Sequence, residues 1–513
     1  TMGSRTALPR QQTLRATIDW SYELLTASER VLLQRLSVFV GGWTIEAAEQ
    51  VGAGDEIEKG GVLDFLSQLV NKSLVEVDEG SPPRYRLLET IQEYVREKLV
   101  ESGESDKTRT RHLRLFLNLA EEAEPHLYQA NQLMWYGKLD TEYANLRAAI
   151  QWALESKRAE DGLRLTGALV QFWMGRGVFS EARKWLEATL ASGRGASDSA
   201  RVKVLQGLGA TMRIQGDRAS AHNFLEESLA MSRTLNDKKD IPGVLGSLAI
   251  LALEEGDNDL ARKYMEESLA LGRELDDKWT IAYSLNLLGI AVRNQGDYDS
   301  AKSLWQESMR MLKELGSERQ LAFLLVSMGD LAAREGNFSA EERMYEQALE
   351  IRSKLKDKFG IAQSLRSLGF SALHQRDLVR ATALIKESLV LQNEIGNQAG
   401  IGECLVQLAF IAVEESKRKT VRTKSGKQKT TGMNQVARRS QLARAVRLVA
   451  ATERRHNSLM YRGLDNLNRT ITLLRSELDQ AAFASAWAEG QAMTLEQAVE
   501  YALEETPAGA KET

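Results

Sequence analysis

Residues 281–316 read IAYSLNLLGIAVRNQGDYDSAKSLWQESMRMLKELG. Ile281, Leu285, Leu288 and Val292 recur three and four residues apart, Gly296-Asp297 interrupts them, and Ala301, Leu304, Trp305 and Met309 resume the pattern. Apolar residues at that spacing share one face of a helix, while Gly followed by Asp ends one helix and begins another. The stretch predicts a helix, a tight turn and a second helix.

The same turn recurs every 40 residues, as Gly216-Asp217, Gly256-Asp257, Gly296-Asp297, Gly336-Asn337 and Arg376-Asp377. In step with it run Leu208-Gly209, Leu288-Gly289, Met328-Gly329 and Leu368-Gly369, with Ala249 and Ala409 holding the small position in the other two copies. After each turn comes Ala221, Ala261, Ala301 or Ala381, with Glu341 as the exception, and then an element such as Glu227-Ser228-Leu229 or Glu387-Ser388-Leu389. A weaker copy passes through Leu163, Trp173, Gly177, Phe179, Ala182, Trp185 and Leu186. These features look like tetratricopeptide repeats, and the period resembles that of a long variant found in bacterial signalling proteins. A single hairpin cannot bury its apolar face, so the copies are expected to stack into a solenoid over 160–416 whose first helices line a concave binding surface.

Bulk composition agrees with an all-α fold. A chain of 513 residues exceeds the roughly 250–300 at which one core stops growing, and 6 prolines leave room for long helices. The 67 basic and 71 acidic side chains give a net charge of −4, which excludes a general positive field for nucleic acid or anionic lipid. One cysteine, Cys404, rules out an intramolecular disulfide, and no apolar run is long enough to span a membrane, so a cytoplasmic setting is expected.

Residues 1–9 read as a tag or linker. Over 10–100, helices are expected at 11–25, 27–40, 44–51 and 61–72, then strands at 74–77 and 85–88 about a Gly80-Ser81-Pro82-Pro83 turn, a pattern that suggests a winged helix with a small β-hairpin. A helical connector (101–159) follows. Beyond the array come a basic loop (417–435) carrying Lys417, Arg418, Lys419, Arg422, Lys424, Lys427 and Lys429, a helical cap (436–505) and a tail (506–513). The candidate DNA-reading segment, Gly61 to Lys72, offers Asp64, Gln68 and Asn71 in place of a basic face, and the basic loop lacks aromatics on which bases could stack.

Particular wording carries a second resemblance. Arg10-Gln11-Gln12-Thr13-Leu14-Arg15-Ala16, Asp19-Trp20-Ser21, Phe39-Val40-Gly41-Gly42-Trp43 and Tyr85-Arg86-Leu87-Leu88-Glu89-Thr90 resemble the winged-helix segment of STAND signal-transduction ATPases. The likeness continues through Trp135, Leu139, Glu142, Asn145-Leu146-Arg147-Ala148-Ala149 and Trp152, and returns at Phe483, Trp487, Gly490, Met493-Thr494-Leu495-Glu496 and Val499. The order is similar to that of maltose-activator-like and LuxR-type regulators. The resemblance implies a winged helix that packs on an ADP-loaded ATPase core, repeats that sense an inducer or partner, and oligomerisation of the full-length protein. No G-x-x-x-x-G-K-[ST] phosphate loop is present, since Gly426-Lys427 is followed by Gln428. Leu87-Leu88-Glu89 stands where some relatives place a nucleotide-contacting His, so no cofactor residue is carried over. The chain reads as the sensor portion alone, with the core expected ahead of Arg10 and no helix-turn-helix after Glu505.

Aligning the first helices puts Arg213, Tyr283, Asn286, Arg293, Asn294, Asp330, Arg334, Gln363, Arg366 and His374 at positions resembling the groove-lining ones of such repeats. Arg213, Arg293, Arg334 and Arg366 could pair with the carboxylates of an acidic or C-terminal peptide, although Asp330 and Glu254 dilute that charge. The histidines lack metal-ligand spacing, Cys404 lies in an apolar helical run, and no catalytic constellation or cofactor site is found. The expected function is binding of a protein, peptide or small inducer. The alternatives are a free-standing adaptor and a DNA-binding regulator acting through the winged helix.

Overall fold

The computed structural model describes residues 9–78, 80, 82–193, 195–417, 435–453 and 461–504. Most of the basic loop, the tail and residues 1–8 lie outside them. Among the described residues there are twenty-five α-helices and one two-stranded sheet. The chain forms two units, one of Thr1–Pro125, Met134–Leu169 and Ala188–Ala196, the other of His126–Leu133, Val170–Glu187 and Ser197–Thr513.

The first unit opens with α1 (Pro9–Glu23), α2 (Ala27–Leu36), α3 (Ile45–Gly52) and α4 (Val62–Asn71). Strands β1 (Glu76–Asp78) and β2 (Arg84–Arg86) pair antiparallel with Val77 opposite Tyr85, and α5 (Glu89–Glu101) follows. Thr26 begins α2 through a capping box with Glu29. The expected helix 27–40 ends early, at Leu36, because Gly41 and Gly42 turn the chain at φ +82° and +94° so that Trp43 can bridge to Tyr85. The strands are displaced from 74–77 and 85–88 because the amides of Leu74 and Val75 return to the carbonyl of Leu69, closing the end of α4.

α6 (Ser105–Ala123), α7 (Gln132–Thr141) and α8 (Tyr143–Glu155) complete this unit with the first part of α9 (Ala159–Arg176). Asn145, fully buried, accepts from the Val40 amide at 2.7 Å and donates to the Gly42 carbonyl at 2.9 Å and to Glu142 at 2.8 Å. Its Oδ1 also lies 3.3 Å from Nε2 of His112, whose pKa burial pushes down to about 4. The two stretches 39–43 and 145–149 are thus halves of one polar knot.

The second unit takes up α9 at Val170 and includes α10 (Phe179–Ser192) as far as Glu187. Helical pairs follow at α11 (Asp198–Ile214) and α12 (Arg218–Thr234), α13 (Ile241–Glu255) and α14 (Asn258–Glu274), α15 (Lys278–Asn294) and α16 (Tyr298–Leu315). The last are α17 (Glu318–Arg334) and α18 (Phe338–Lys354), then α19 (Lys358–His374) and α20 (Leu378–Glu394). The repeated turn explains itself. Gly216, Gly256, Gly296 and Gly336 take φ between +75° and +95°, and the side chain of Asp217, Asp257, Asp297 or Asn337 then caps the next helix. Arg376 stands at the same turn at φ +62° without being glycine.

The small residue of each first helix admits a large one from its partner. A Cβ on Gly289 would lie 2.3 Å from Nε1 of Trp305, and one on Gly329 2.5 Å from the Tyr345 ring. Ser228, Ser308 and Ser388 donate back to the carbonyls of Val202, Ala282 and Ala362 at 2.7–2.9 Å, fastening second helix to first. Glu341, at the alanine position, is wholly buried and accepts from Ser371, with His374 Nδ1 at 3.2 Å. At the far end α21 (Gln398–Lys417) packs with α22 (Gln435–Glu453), α23 (Tyr461–Glu477), α24 (Gln480–Ala492) and α25 (Leu495–Leu503) around a cluster that includes Leu405, Val446, Leu474 and Val499.

Candidate functional site

The array curls until its first hairpin meets its fifth pair. Arg176 donates to the Leu355 carbonyl at 2.7 Å, and the Phe179 ring stands edge-on to Phe359, with centroids 5.8 Å apart. Gly177 turns between them at φ +68°, where a Cβ would also come within 3.1 Å of Ile395. Curling converts the concave face into a cavity of about 670 Å³, lined by the first helices of successive pairs and by Asn466 of α23.

Of the residues that alignment puts in the groove, Arg213, Tyr283, Arg293, Asn294, Asp330, Arg334, Gln363 and Arg366 line this cavity. Asn286 and His374 do not. Asn286 is 1% exposed beneath α16, its carbonyl accepting from Trp305 Nε1 at 3.0 Å. His374 turns instead to Glu341, with the rings of Phe338 and Phe370 each 4.9 Å away.

The expected row of arginines open to an acidic peptide is altered by partners within the chain. Arg213 pairs with Glu254 and Arg366 with Glu403, while Arg293 reaches Asp330 at 3.1 Å. Arg319, unmarked in the sequence reading, pairs with Asp357 at 3.3 Å. Each pair joins one repeat to the next. Arg334 is exposed and forms no ion pair among the described residues.

Two groups are shaped by dehydration. Burial pushes the Arg352 guanidinium down to about 10, against the pull of Asp357, while it donates to the Gly360 carbonyl at 2.9 Å and Ser364 Oγ at 2.8 Å. Burial pushes the Tyr283 hydroxyl up to about 12, with Arg213 and Arg319 opposing, and its ring stacks 5.0 Å from Trp279. Leu253, Leu287, Ile290, Phe323 and Phe359 supply apolar wall between these charges.

Sequence reasoning missed Arg319, Arg352, Asp357 and Glu403. Glu403 did leave a signal, since a carboxylate inside the apolar run 401–410 is costly to bury unless a cation meets it. Its neighbour Cys404 is buried and its thiol is pushed up to about 11, which suits packing and not nucleophilic chemistry. Among the described residues, no group of three or more His, Cys, Asp and Glu side chains is placed to hold a metal.

On the winged helix, the outer face of α4 presents Leu63, Asp64, Ser67 and Gln68. The neighbouring cations are engaged within the chain: Lys72 with Glu29 at 2.6 Å, Arg86 with Glu76 at 2.7 Å, and Arg84 with Glu142.

Known proteins share both halves of this architecture. A winged helix-turn-helix domain model matches residues 25–100, and tetratricopeptide-repeat models match 203–240, 240–314 and 280–354. Both are domain kinds without catalytic function. A Mycobacterium tuberculosis protein named "Putative HTH-type transcriptional regulator Rv0890c" is 41% identical over 193 residues, covering 37% of this chain and 22% of that protein. An uncharacterized protein of the same organism, Rv0894, is 39% identical over 139 residues, covering 27% of this chain and 33% of its own length. The match thus spans no more than a third of either relative. Among solved structures, a Pyrococcus horikoshii STAND protein with a tetratricopeptide repeat sensor has a TM-score of 0.51 at 14% identity, covering 95% of this chain and 65% of that one. No helix among the described residues is long and apolar enough to cross a membrane. The chain thus carries a region that matches a winged helix-turn-helix domain and regions that match tetratricopeptide repeats, and it shares the fold of a STAND protein with a repeat sensor.

Proposed function

We propose that this chain is the sensor portion of a STAND-type signalling or transcriptional regulator, in which the repeat cavity takes a small inducer or short peptide and the winged helix relays its arrival. The observation that carries this reading is the closure of the array around about 670 Å³, inside the range of roughly 300–1,000 Å³ common to small-ligand sites. A folded partner protein would not enter such a space, which favours a small ligand over an adaptor's cargo. An ATPase core and oligomerisation belong, in this proposal, to the longer protein.

Direct DNA reading by the winged helix receives less support. The outer face of α4 carries Leu63, Asp64, Ser67 and Gln68 and no cation, and Lys72, Arg84 and Arg86 already hold carboxylates, so few cations remain nearby for phosphates.

Native mass spectrometry of the chain isolated from its own host tests the sensor reading. The expected result is a bound small species that disappears in Ile290→Trp, a substitution that fills the cavity. The reading fails if no species is bound and the small-molecule and peptide fractions of the host leave the melting temperature unchanged. It fails equally if binding persists undiminished in the folded Trp variant.

A further inference from the structure

Eight of the ten charged side chains that line the cavity come as four opposite-sign couples, with Arg334 and Arg352 outside them. At the repeat position of Arg213 and Arg293, the other first helices carry Leu253, Ala333 and Leu373, so the fold does not require charge there. The couples nonetheless sit largely out of water, with side-chain exposures of 4% for Arg293, 6% for Asp357 and 5% for Glu403. Buried ion pairs gain little stability over apolar packing, whereas stripping one partner away is strongly unfavourable. At such a couple, a ligand of a single sign would have to displace one member and leave a dehydrated charge behind.

Two couples converge on one place. Where the curled array brings α11 and α13 near α19 and α21, a side crevice of about 30 Å³ is lined jointly by Arg213, Glu254, Gln363, Arg366 and Glu403. Since about 10–15 Å³ on the same measure holds one water molecule, the crevice has room for one compact charged head. Arg213 and Arg366 present donors for a carboxylate there, and Glu254 and Glu403 present acceptors for an ammonium group. The main cavity beyond it offers apolar wall, at Leu287, Ile290 and Phe323, and a further couple in Arg293–Asp330.

Resting on the reading of this cavity as the ligand site, we propose that it takes a zwitterion: a short linear peptide with free termini and an apolar middle, one terminus seated in the crevice. Each charge of such a ligand inserts beside a couple and meets its opposite, so that no buried charge is stranded and the alternation of sign is extended.

The test is affinity selection with the whole chain. Equimolar tetrapeptide mixtures are offered with free ends, N-acetylated, C-amidated or blocked at both ends, beside free amino acids and a mixture of neutral and anionic metabolites, and retained species are read by mass spectrometry. Free-ended peptides are expected to be retained at least tenfold over doubly blocked ones. That preference is expected to vanish in the double variant Arg213→Met with Glu254→Met, which removes a couple without orphaning a charge and whose folding circular dichroism verifies. Retention of free amino acids alone, with the same loss in the variant, upholds the zwitterion and overturns the peptide. Equal retention of blocked and free peptides, indifference to the double variant, or selection of neutral or anionic metabolites overturns the inference while leaving the cavity a ligand site. Retention of nothing from any mixture overturns both.

Discussion

The inner and outer faces of the repeat array use the same bond in two surroundings. Outside, Arg233 reaches Glu267 at 2.8 Å and Lys302 reaches Glu335 at 2.6 Å, each tying one repeat to the next, and Lys354 reaches Glu318 at 2.9 Å within one repeat. Inside, Arg293–Asp330, Arg319–Asp357 and Arg366–Glu403 each tie one repeat to the next. What differs is water: the Arg233 side chain is 52% exposed and that of Arg293 4%. An exposed pair is worth about 0–1 kcal/mol, while a buried carboxylate robbed of its cation costs several times that. The outer rows therefore do little for stability, and the inner ones make each coupled cavity charge depend on its partner.

The widest gap between the faces is expected from Arg366→Ala, which leaves the Glu403 carboxylate buried without its cation. A loss of about 3 kcal/mol is predicted from guanidinium denaturation, and a loss under about 1 kcal/mol would erase the distinction between the faces. A comparable effect, located in the first unit, comes from acid. His112 is held neutral by burial, its pKa lowered to about 4, whereas the unfolded chain takes a proton near 6.5. Its contribution is complete above about pH 6.5 and declines as pH falls towards 4, by up to about 3 kcal/mol. Denaturation midpoints at pH 7 and 4.5 should show the decline, and His112→Gln should flatten it.

Smaller changes refine the picture. Arg376 holds φ +62° at a turn where four other repeats use glycine, so Arg376→Gly is expected to raise stability by about 1 kcal/mol; a fall would mean that its side chain matters more than its backbone. Least of all, Lys302→Ala should move the midpoint by no more than about 0.5 kcal/mol, with an even smaller effect at high salt. A larger loss there would contradict the assignment of weak pairs to the outer face.

Within the repeats, what is local was legible in the sequence. The period of 40, the glycine at positive φ, the capping Asp and the small residue facing Trp305 or Tyr345 are each settled within one hairpin. Asn145 was recognisable as part of a pattern, yet its bonds to Val40 and Gly42 cross more than a hundred residues and appear only in three dimensions. His374 was placed in the groove by alignment, and Glu341, visible as the exception among alanines, is what draws it away. The partners of the inner arginines lie 37–41 residues on, at positions where period alone does not say which side chain reaches across. Closure of the ring was illegible for a different reason: it accumulates from a small rotation at each repeat, and no single residue announces it.

That closure also bears on heredity. An open solenoid can lengthen or shorten by a whole unit through unequal recombination while every remaining junction is preserved. Here one unit more or fewer would carry Phe359 away from Phe179, and Leu355 away from Arg176, and the chamber would gape. Copy number, ordinarily the freest variable of a repeat gene, becomes as constrained as a binding residue, and variation is left to the side chains that face the enclosed space.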